Sequence, residues 1–268
     1  MTNVRQLPTR MVEKVWGSKQ LPAPFAAPAG RRIGEIWFEP PPEHPDLLVK
    51  YLFTSEKLSV QVHPSVDNAQ DGEAGKEECW LVLDAEPGAK LAIGFDEAVT
   101  PDAIEAAARD GSIERLLTWH EARAGDLFYL PAGTVHAIGP GLSLVEVQQT
   151  SDTTFRLFDY GRPRELHLER AIAVACGEPY PAEHRGSVAE RGQSLIDGPY
   201  FRLDRIVGAP DECARAAYPG GLMVLPLEGE VRARDGNAKA SAGECLYADG
   251  LDALDFAAAK VTLLTRAS

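Results

Sequence analysis

Residues 125–139 read GDLFYLPAGTVHAIG, and residues 148–159, shortly downstream, read QQTSDTTFRLFD. The first segment has the pattern of strand, tight turn, strand. Leu127, Tyr129 and Pro131 alternate with Phe128 and Leu130, and Pro131-Ala132-Gly133 then breaks the run. Glycine at 133 admits a backbone angle that other residues resist. The turn delivers Thr134-Val135-His136 onto the following strand, so the spacing Gly125-x5-Pro131-x-Gly133-x2-His136 sets the histidine at a fixed distance from the turn. A lone histidine on an apolar strand is ordinarily a satisfied core residue. This one becomes a candidate metal ligand if further donors lie upstream.

They do. In KLSVQVHP (57–64), side chains of an extended chain alternate faces, which puts Ser59, Gln61 and His63 on one side and Leu58, Val60 and Val62 on the other. Such a strand suits a sheet edge with its wet face outward, but Gln61 and His63 are both competent metal donors, and a polar row is more naturally explained if it lines a cavity. In GKEECWLVLDAEPGA (75–89), Glu78, Trp80 and Val82 share a face. A glutamate opening an apolar strand is often merely solvated. Beside Gln61, His63 and His136 it completes a set of two nitrogens and two oxygens, which suits Zn2+ and also accepts Mn2+, Fe2+, Co2+ or Ni2+. Glu77 competes for the same role, and strand parity alone does not decide between them. Lys76, two residues before Glu78, is brought to the same face. Arg156 lies in the apolar run FRLF and needs a partner, either an internal carboxylate or an anionic substrate.

The spacing around His136 matches the second metal motif of the cupin superfamily. LSVQVHP, GKEECWLVLDAEPGA, GDLFYLPAGTVHAIG and QQTSDTTFRLFDYGR, in this order, resemble the class I, cupin-type mannose-6-phosphate isomerases in their short bacterial form. The resemblance covers about residues 14–175. It implies one metal ion per chain, Zn2+ or another divalent ion, held by Gln61, His63, Glu78 and His136. It implies catalytic roles for Arg156 and Lys76, and places Ser59 and Arg162 near a sugar phosphate. Three departures stand out: HPSVDNA replaces the usual acidic run, Glu77 stands where threonine or proline is common, and Gly139-Pro140 follows the motif histidine. Arg162 stands where larger relatives carry lysine, which keeps the charge and changes its geometry.

The rest of the chain bounds these expectations. Its 268 residues, 44% hydrophobic, can bury a sizeable core. A net charge of −13 argues against a general nucleic-acid surface and leaves room for local arginines to hold a small anion. Cys79, Cys176, Cys213 and Cys245 form no CxxC pair and read as free thiols in a reducing compartment. No apolar run approaches the ~20 residues that span a bilayer, and no signal core follows Met1, so a cytoplasmic location without membrane contact is expected. Prolines at 22, 24 and 28 exclude a helix from the stretch LPAPFAAPAG, and the first thirty residues read as a loop or arm. Strands are expected over 32–39, 47–53 and 142–149, two short helices over 100–120, and a helix over 165–176. Residues 177–194 read as a polar linker.

After the linker, Gly243-Glu244-Cys245-Leu246-Tyr247 echoes Gly125–Tyr129, a weak internal repeat. The fold class expected is all-β with a few helices, in two cupin-like barrels or jelly rolls. Residues 1–176 would form the metal-binding domain and 177–268 a degenerate second domain without a metal. The function expected is the interconversion of mannose 6-phosphate and fructose 6-phosphate through an enediol, by a monomer or homodimer. Another sugar isomerase, a dioxygenase with a redox metal, and a non-catalytic sugar-binding cupin are the alternatives.

Overall fold

The computed structural model describes residues 3–268. The first strands are β1 (Val4–Gln6), β2 (Thr9–Ser18), β3 (Ile33–Phe38), β4 (Leu47–Thr54), β5 (Val60–Val62), β6 (Glu78–Ala85) and β7 (Lys90–Phe95). Helix α1 (Pro101–Asp110) interrupts them before β8 (Leu117–Glu121), β9 (Asp126–Leu130), β10 (His136–Ile138), β11 (Leu142–Gln149) and β12 (Phe155–Phe158), and α2 (Leu168–Val174) closes this part. Then follow β13 (Arg185–Ser187), β14 (Ser194–Asp197), β15 (Phe201–Val207), β16 (Leu222–Ala233), β17 (Lys239–Ser241), β18 (Leu246–Ala248), β19 (Leu254–Asp255) and β20 (Ala259–Ala267). The fold is all-β, with short helices at its edges.

Three sheets carry it. A seven-stranded sheet runs β13-β9-β6-β11-β4-β2-β3, and a five-stranded sheet runs β12-β5-β10-β7-β8. Their facing sides share one apolar cluster, in which Trp80, Phe128, Leu142 and Leu144 of the first meet Leu91, Ile93 and Ile138 of the second. The outer face of the five-stranded sheet is covered by the helices, with Ile104, Ala107, Ala108 and Ala171 packed on Val60, Val62, Phe95 and Ala137. The outer face of the seven-stranded sheet, including Val49, Tyr51, Cys79 and Val147, packs on Phe201, Met223, Leu225 and Leu263 of an eight-stranded sheet built around β18-β16-β20-β15. Covered on both faces, β4 buries all eight of its residues. It therefore reads as a nearly continuous apolar run and not as an alternating one.

Several expectations need correction. The N-terminal segment is not a loose arm: β1 pairs with β18 of the eight-stranded sheet, and β2 pairs with β3. Only the proline-rich piece between β2 and β3 is irregular. The second short helix expected before residue 120 is a single 3-10 turn, Ser112–Arg115, and does not extend to Leu117. Thr100 caps α1 by accepting from the Ala103 N–H, and Gly111, at φ 80°, ends it. Leu117–Glu121 then extends along β7, where an aliphatic, threonine and tryptophan run prefers a pleated surface. The stretch 177–194 is not a free linker either, because β13 adds to β9 at the edge of the seven-stranded sheet. Among the described residues no helix is long and apolar enough to cross a membrane.

Candidate metal centre and its cavity

Register builds the centre. On the five-stranded sheet, Gln61 of β5 lies opposite His136 of β10 on one side and Arg156 of β12 on the other. Directly opposed residues point to the same face. The row His136, Gln61, Arg156 therefore faces the space between the two sheets. His63 follows Gln61 by two residues, and its carbonyl accepts the Gly133 N–H at 2.9 Å. This bond locks the His63 strand end to the turn that positions His136. Gly133 has φ 86°, and a Cβ there would stand 3.0 Å from the Val174 carbonyl oxygen, so the turn needs glycine.

From the facing sheet Glu78 completes a buried group: ligand atoms of His63, Glu78 and His136 all lie within 4.8 Å of one another. Glu78 Oε1 is 3.5 Å from His136 Nε2, and Oε2 is 3.7 Å from His63 Nε2. Each imidazole is turned the same way. His63 Nδ1 lies 2.8 Å from the Thr153 carbonyl, and His136 Nδ1 lies 2.9 Å from that of Thr134. A carbonyl accepts only, so Nδ1 carries the proton in both rings and Nε2 offers its lone pair to the centre. Burial lowers both histidines below their ordinary range, reinforced at His63 by Lys76 and opposed at His136 by Glu78. Burial alone would raise the Glu78 carboxyl, but Lys76 and His136 outweigh it and hold the group low. Two neutral imidazoles and a carboxylate form a donor set for a divalent cation.

Gln61 reaches the same point. Its amide nitrogen stands 3.2 Å from His136 Nε2, while Oε1 accepts from Ser59 Oγ at 3.1 Å. Carbonyl donation toward the centre needs the opposite amide orientation, which Ser59 also accommodates, since a hydroxyl can accept as well as donate. The Lys76 ammonium contacts Glu78 Oε2 and stands 3.1 Å from His63 Nε2. A cationic group thus sits against the same donors, in keeping with their preference for positive charge.

A cavity of about 280 Å³ opens beside the centre. One wall is a buried chain of alternating charges across β3, β4, β11 and β6. Lys50 Nζ is 3.9 Å from Glu35 Oε1 and 2.8 Å from Glu146 Oε1, and Lys76 Nζ is 3.6 Å from the same Glu146 oxygen. Lys14 pairs with Glu35 at 3.3 Å. The indoles of Trp37 and Trp80 donate to Glu35 and Glu146 at 2.7 and 3.1 Å. Burial would lower the Lys50 ammonium, but Glu146 and Glu35 together raise it. The other end is formed by Ser151, Asp152, Thr154, Arg156, Arg164 and His167. Arg156 is the one cavity-lining cation among the described residues with no carboxylate within salt-bridge distance.

The expected residues fall into two groups. Ser59, Gln61, Lys76, Glu78 and Arg156 line the cavity, and His63 and His136 join it through the donor group they form with Glu78. Arg162 does not line it. Its guanidinium is 2.7 Å from Asp159, donates to the Lys57 carbonyl at 2.9 Å and lies over the Tyr160 ring. Glu77, on the opposite strand face from Glu78, takes the Tyr129 hydroxyl as a donor and points away from the centre. Leu58 lines the cavity although strand parity places it with Val60 and Val62; regular extension begins only at Val60. Sequence reasoning missed Glu35, Lys50, Glu146, Arg164 and His167. The first three had a signal: each is a charge inside an apolar strand, the feature that singled out Arg156.

No family model matches the chain. It is 44% identical over 201 residues to mannose-6-phosphate isomerase from Streptococcus mutans, a match covering 69% of this chain and 62% of that protein. Over that stretch the chain is similar to the mannose-6-phosphate isomerases. The match spans about three-fifths of that relative's length. The fold agrees with the crystal structure of mannose 6-phosphate isomerase from Bacillus subtilis, with a TM-score of 0.78 over 98% of this chain and 99% of that one at 24% identity. A zinc-bound mannose 6-phosphate isomerase also superimposes, with a TM-score of 0.70 over 99% of each chain at 15% identity. At these identities the structural matches speak for the fold.

Proposed function

We propose that this protein is a metal-dependent aldose–ketose isomerase interconverting mannose 6-phosphate and fructose 6-phosphate. The observation that carries the reading is the joining of two features in one cavity: the convergent His63, Glu78 and His136 donors, and the unneutralised Arg156 one strand away. The sequence similarity to mannose-6-phosphate isomerase from Streptococcus mutans supports it. Gln61, His63, Glu78 and His136 would hold one divalent ion, with Zn2+ the best match to two neutral imidazoles and two oxygens. When bound, the ion supplies Lewis-acid polarisation of sugar oxygens.

The chain's own residues supply the rest. In the aldose, C1 is the carbonyl and C2 carries hydrogen and hydroxyl. The C2–H bond breaks, its proton passes to a base, and the electron pair becomes the C1=C2 bond of the enediol as O1 is protonated. Return of a proton to C1 and loss of the O2 proton give the ketose, with no net oxidation. Lys76, on the cavity floor beside Glu78, is placed either to carry that proton or to stabilise charge as it develops. Arg156 is placed to stabilise oxyanion character. Ser59 stands behind Gln61 and hydrogen-bonds its amide in either orientation. Trp16, Trp37 and Trp80 line the cavity and give it apolar surface.

We further propose a division into a metal-binding unit, residues 1–176, and a second unit, 177–268, that buttresses the seven-stranded sheet, with one strand crossing each way: β1 joins the second unit's sheet and β13 the first's. Free thiols at all four cysteines fit a cytoplasmic location, and assembly as a monomer or homodimer is the corresponding proposal. The test is a coupled assay over a panel of phosphorylated and free aldoses with metal content measured in parallel. Turnover confined to mannose 6-phosphate, proportional to bound metal and complete with Zn2+ alone, is expected. Turnover that requires a redox metal and O2, or none with any aldose, overturns the reading.

A further inference from the structure

Two connectors cross between the sheets beside the donor group. Residues 64–77 run from His63, just past β5, to Glu78, which opens β6; residues 150–154 run from β11 to β12. The two are tied side by side at Ala74. Its N–H donates to Thr153 Oγ1 at 3.2 Å, and its carbonyl accepts from Ser151 Oγ at 3.0 Å. The Thr153 carbonyl is the acceptor that fixes His63 Nδ1. The neck of the first connector is closed by the Lys76 N–H on the Pro64 carbonyl at 2.9 Å.

Beyond this neck the connector has no core of its own. None of residues 66–74 is buried, and Val66 is left 49% exposed. Local bonds shape its two halves: the Ser65 N–H donates to Asn68 Oδ1 at 2.7 Å, and the Gln70 N–H to Glu73 Oε2 at 2.8 Å. Arg170 fastens both halves to the rest of the molecule. Its Nε and Nη2 donate to the two Glu73 oxygens at 3.0 and 2.6 Å, and Nη2 also reaches the Asn68 carbonyl at 3.2 Å. The guanidinium lies over the Phe155 ring, 5.1 Å from its centre, so its plane is held from a second direction. Arg170 belongs to α2, whose Ala171 and Val174 pack on the five-stranded sheet. One bidentate fork therefore anchors an otherwise exposed loop to the sheet that carries His63 and His136.

We infer that Arg170 and Glu73 are positioning residues that retain the metal ion, by clamping shut the connector between two of its donors. A segment with few buried contacts opens locally at low free energy. Opening here lets the ends at His63 and Glu78 spread and leaves Gln61 and His136 alone to hold an ion. The donors themselves are almost fully buried, so loss of the ion requires such an opening, and the clamp opposes it. The inference rests on the reading of His63, Glu78 and His136 as a metal site and adds what keeps that site closed.

The test is the rate at which the Zn2+-loaded full chain releases its ion to an excess of a chromophoric chelator. Arg170→Ala and Glu73→Gln should each speed release about 10-fold or more, since a charge-assisted hydrogen bond is worth at least one factor of ten in an opening equilibrium. Arg170→Lys, which keeps the cation and loses the fork, should fall between these variants and wild type. The exchanged pair E73R/R170E should recover slow release in part, which a general loss of stability would not. Arg215→Ala, which breaks the exposed Arg215–Asp252 pair in the C-terminal part, is the control and should release at the wild-type rate. Release within twofold of wild type in both Arg170→Ala and Glu73→Gln, or equal acceleration in Arg215→Ala, overturns the clamp and leaves the metal site standing. Wild-type protein that holds no divalent ion overturns the site and the clamp with it. Fast release in the clamp variants of a protein that isomerises no aldose phosphate supports the clamp and removes only the isomerase reading.

Discussion

Replacing Glu146 with glutamine removes the negative charge from the middle of the buried ladder while keeping an oxygen for the Trp80 indole. Glu146 stands 2.8 Å from the Lys50 ammonium and 3.6 Å from that of Lys76, and all three side chains are buried. Removing one partner of a buried pair leaves an uncompensated charge and costs about 3–5 kcal/mol. The lower end applies, because Lys50 keeps Glu35 at 3.9 Å and Lys76 keeps Glu78. An unfolding entropy of about 2.1 cal/mol/K per residue, over 268 residues, gives about 0.56 kcal/mol/K. A loss of about 3 kcal/mol therefore lowers Tm by about 5 °C. The comparison is Glu105→Gln, which breaks the exposed Glu105–Arg109 pair on α1. Such pairs contribute about 0.3–0.5 kcal/mol, so that Tm should move by less than about 1 °C. Calorimetric melts of both variants, metal-loaded and at equal ionic strength, decide the matter. If Glu146→Gln melts within a degree of Glu105→Gln, the ladder is not a coupled buried network and the reasoning fails.

Other expectations are shorter to state. His63→Ala and His136→Ala should each purify without bound metal; elemental analysis that finds undiminished metal in both removes the proposed centre. Arg156→Ala should keep its metal and its melting curve but lose about 10²–10³ in turnover, the usual consequence of deleting a preorganised charge at a developing anion; near-normal turnover would assign Arg156 to structure alone. Gly133→Ala forces an L side chain to φ 86° with its Cβ 3.0 Å from the Val174 carbonyl. It should cost about 1–3 kcal/mol and reduce metal occupancy, because the turn ties His63 to His136; unchanged melting and metal content would show that the turn tolerates the substitution.

The sequence made the donors legible for local reasons. Gln61 and His63 share a face by strand parity, and the Pro131–Gly133 turn puts His136 on its strand; neither depends on distant packing. What it hid was set by pairing across sheets. Nothing in LLVKYLF says that Lys50 meets Glu146, because that contact follows from the β4–β11 register, with Lys50 opposite Glu146. Arg162 and Arg164 flank Pro163 and are equivalent in local pattern; Asp159 draws both, and only the direction of the turn brings Arg164 to the cavity. The second short helix stops at Arg115 for the same class of reason: from Leu117 a ladder to β7 overrides the apolar spacing. β1 was invisible because its partner, β18, lies more than 240 residues away, at Val4 opposite Ala248.

The charge of the whole chain and the charge of the cavity have opposite signs, and distance decides which one a substrate meets. The chain carries −13, which repels a phosphorylated sugar at long range. The cavity is lined by five cations, Lys14, Lys50, Lys76, Arg156 and Arg164, and four carboxylates, Glu35, Glu78, Glu146 and Asp152, so its wall is net positive by one charge. A divalent ion on the histidine and glutamate donors would add two more. At physiological ionic strength exposed charges are screened within about 8 Å, whereas buried ones are screened far less. The acidic exterior therefore fades over the distance of approach, and the interior acts at contact. The positive charges also divide by function: Lys14, Lys50 and Lys76 are matched to carboxylates and set the shape of the wall, while Arg156 is not. Recognition of an anion is thus concentrated at the β12 end of the cavity, and it works through contact there, not through steering by the protein's overall field.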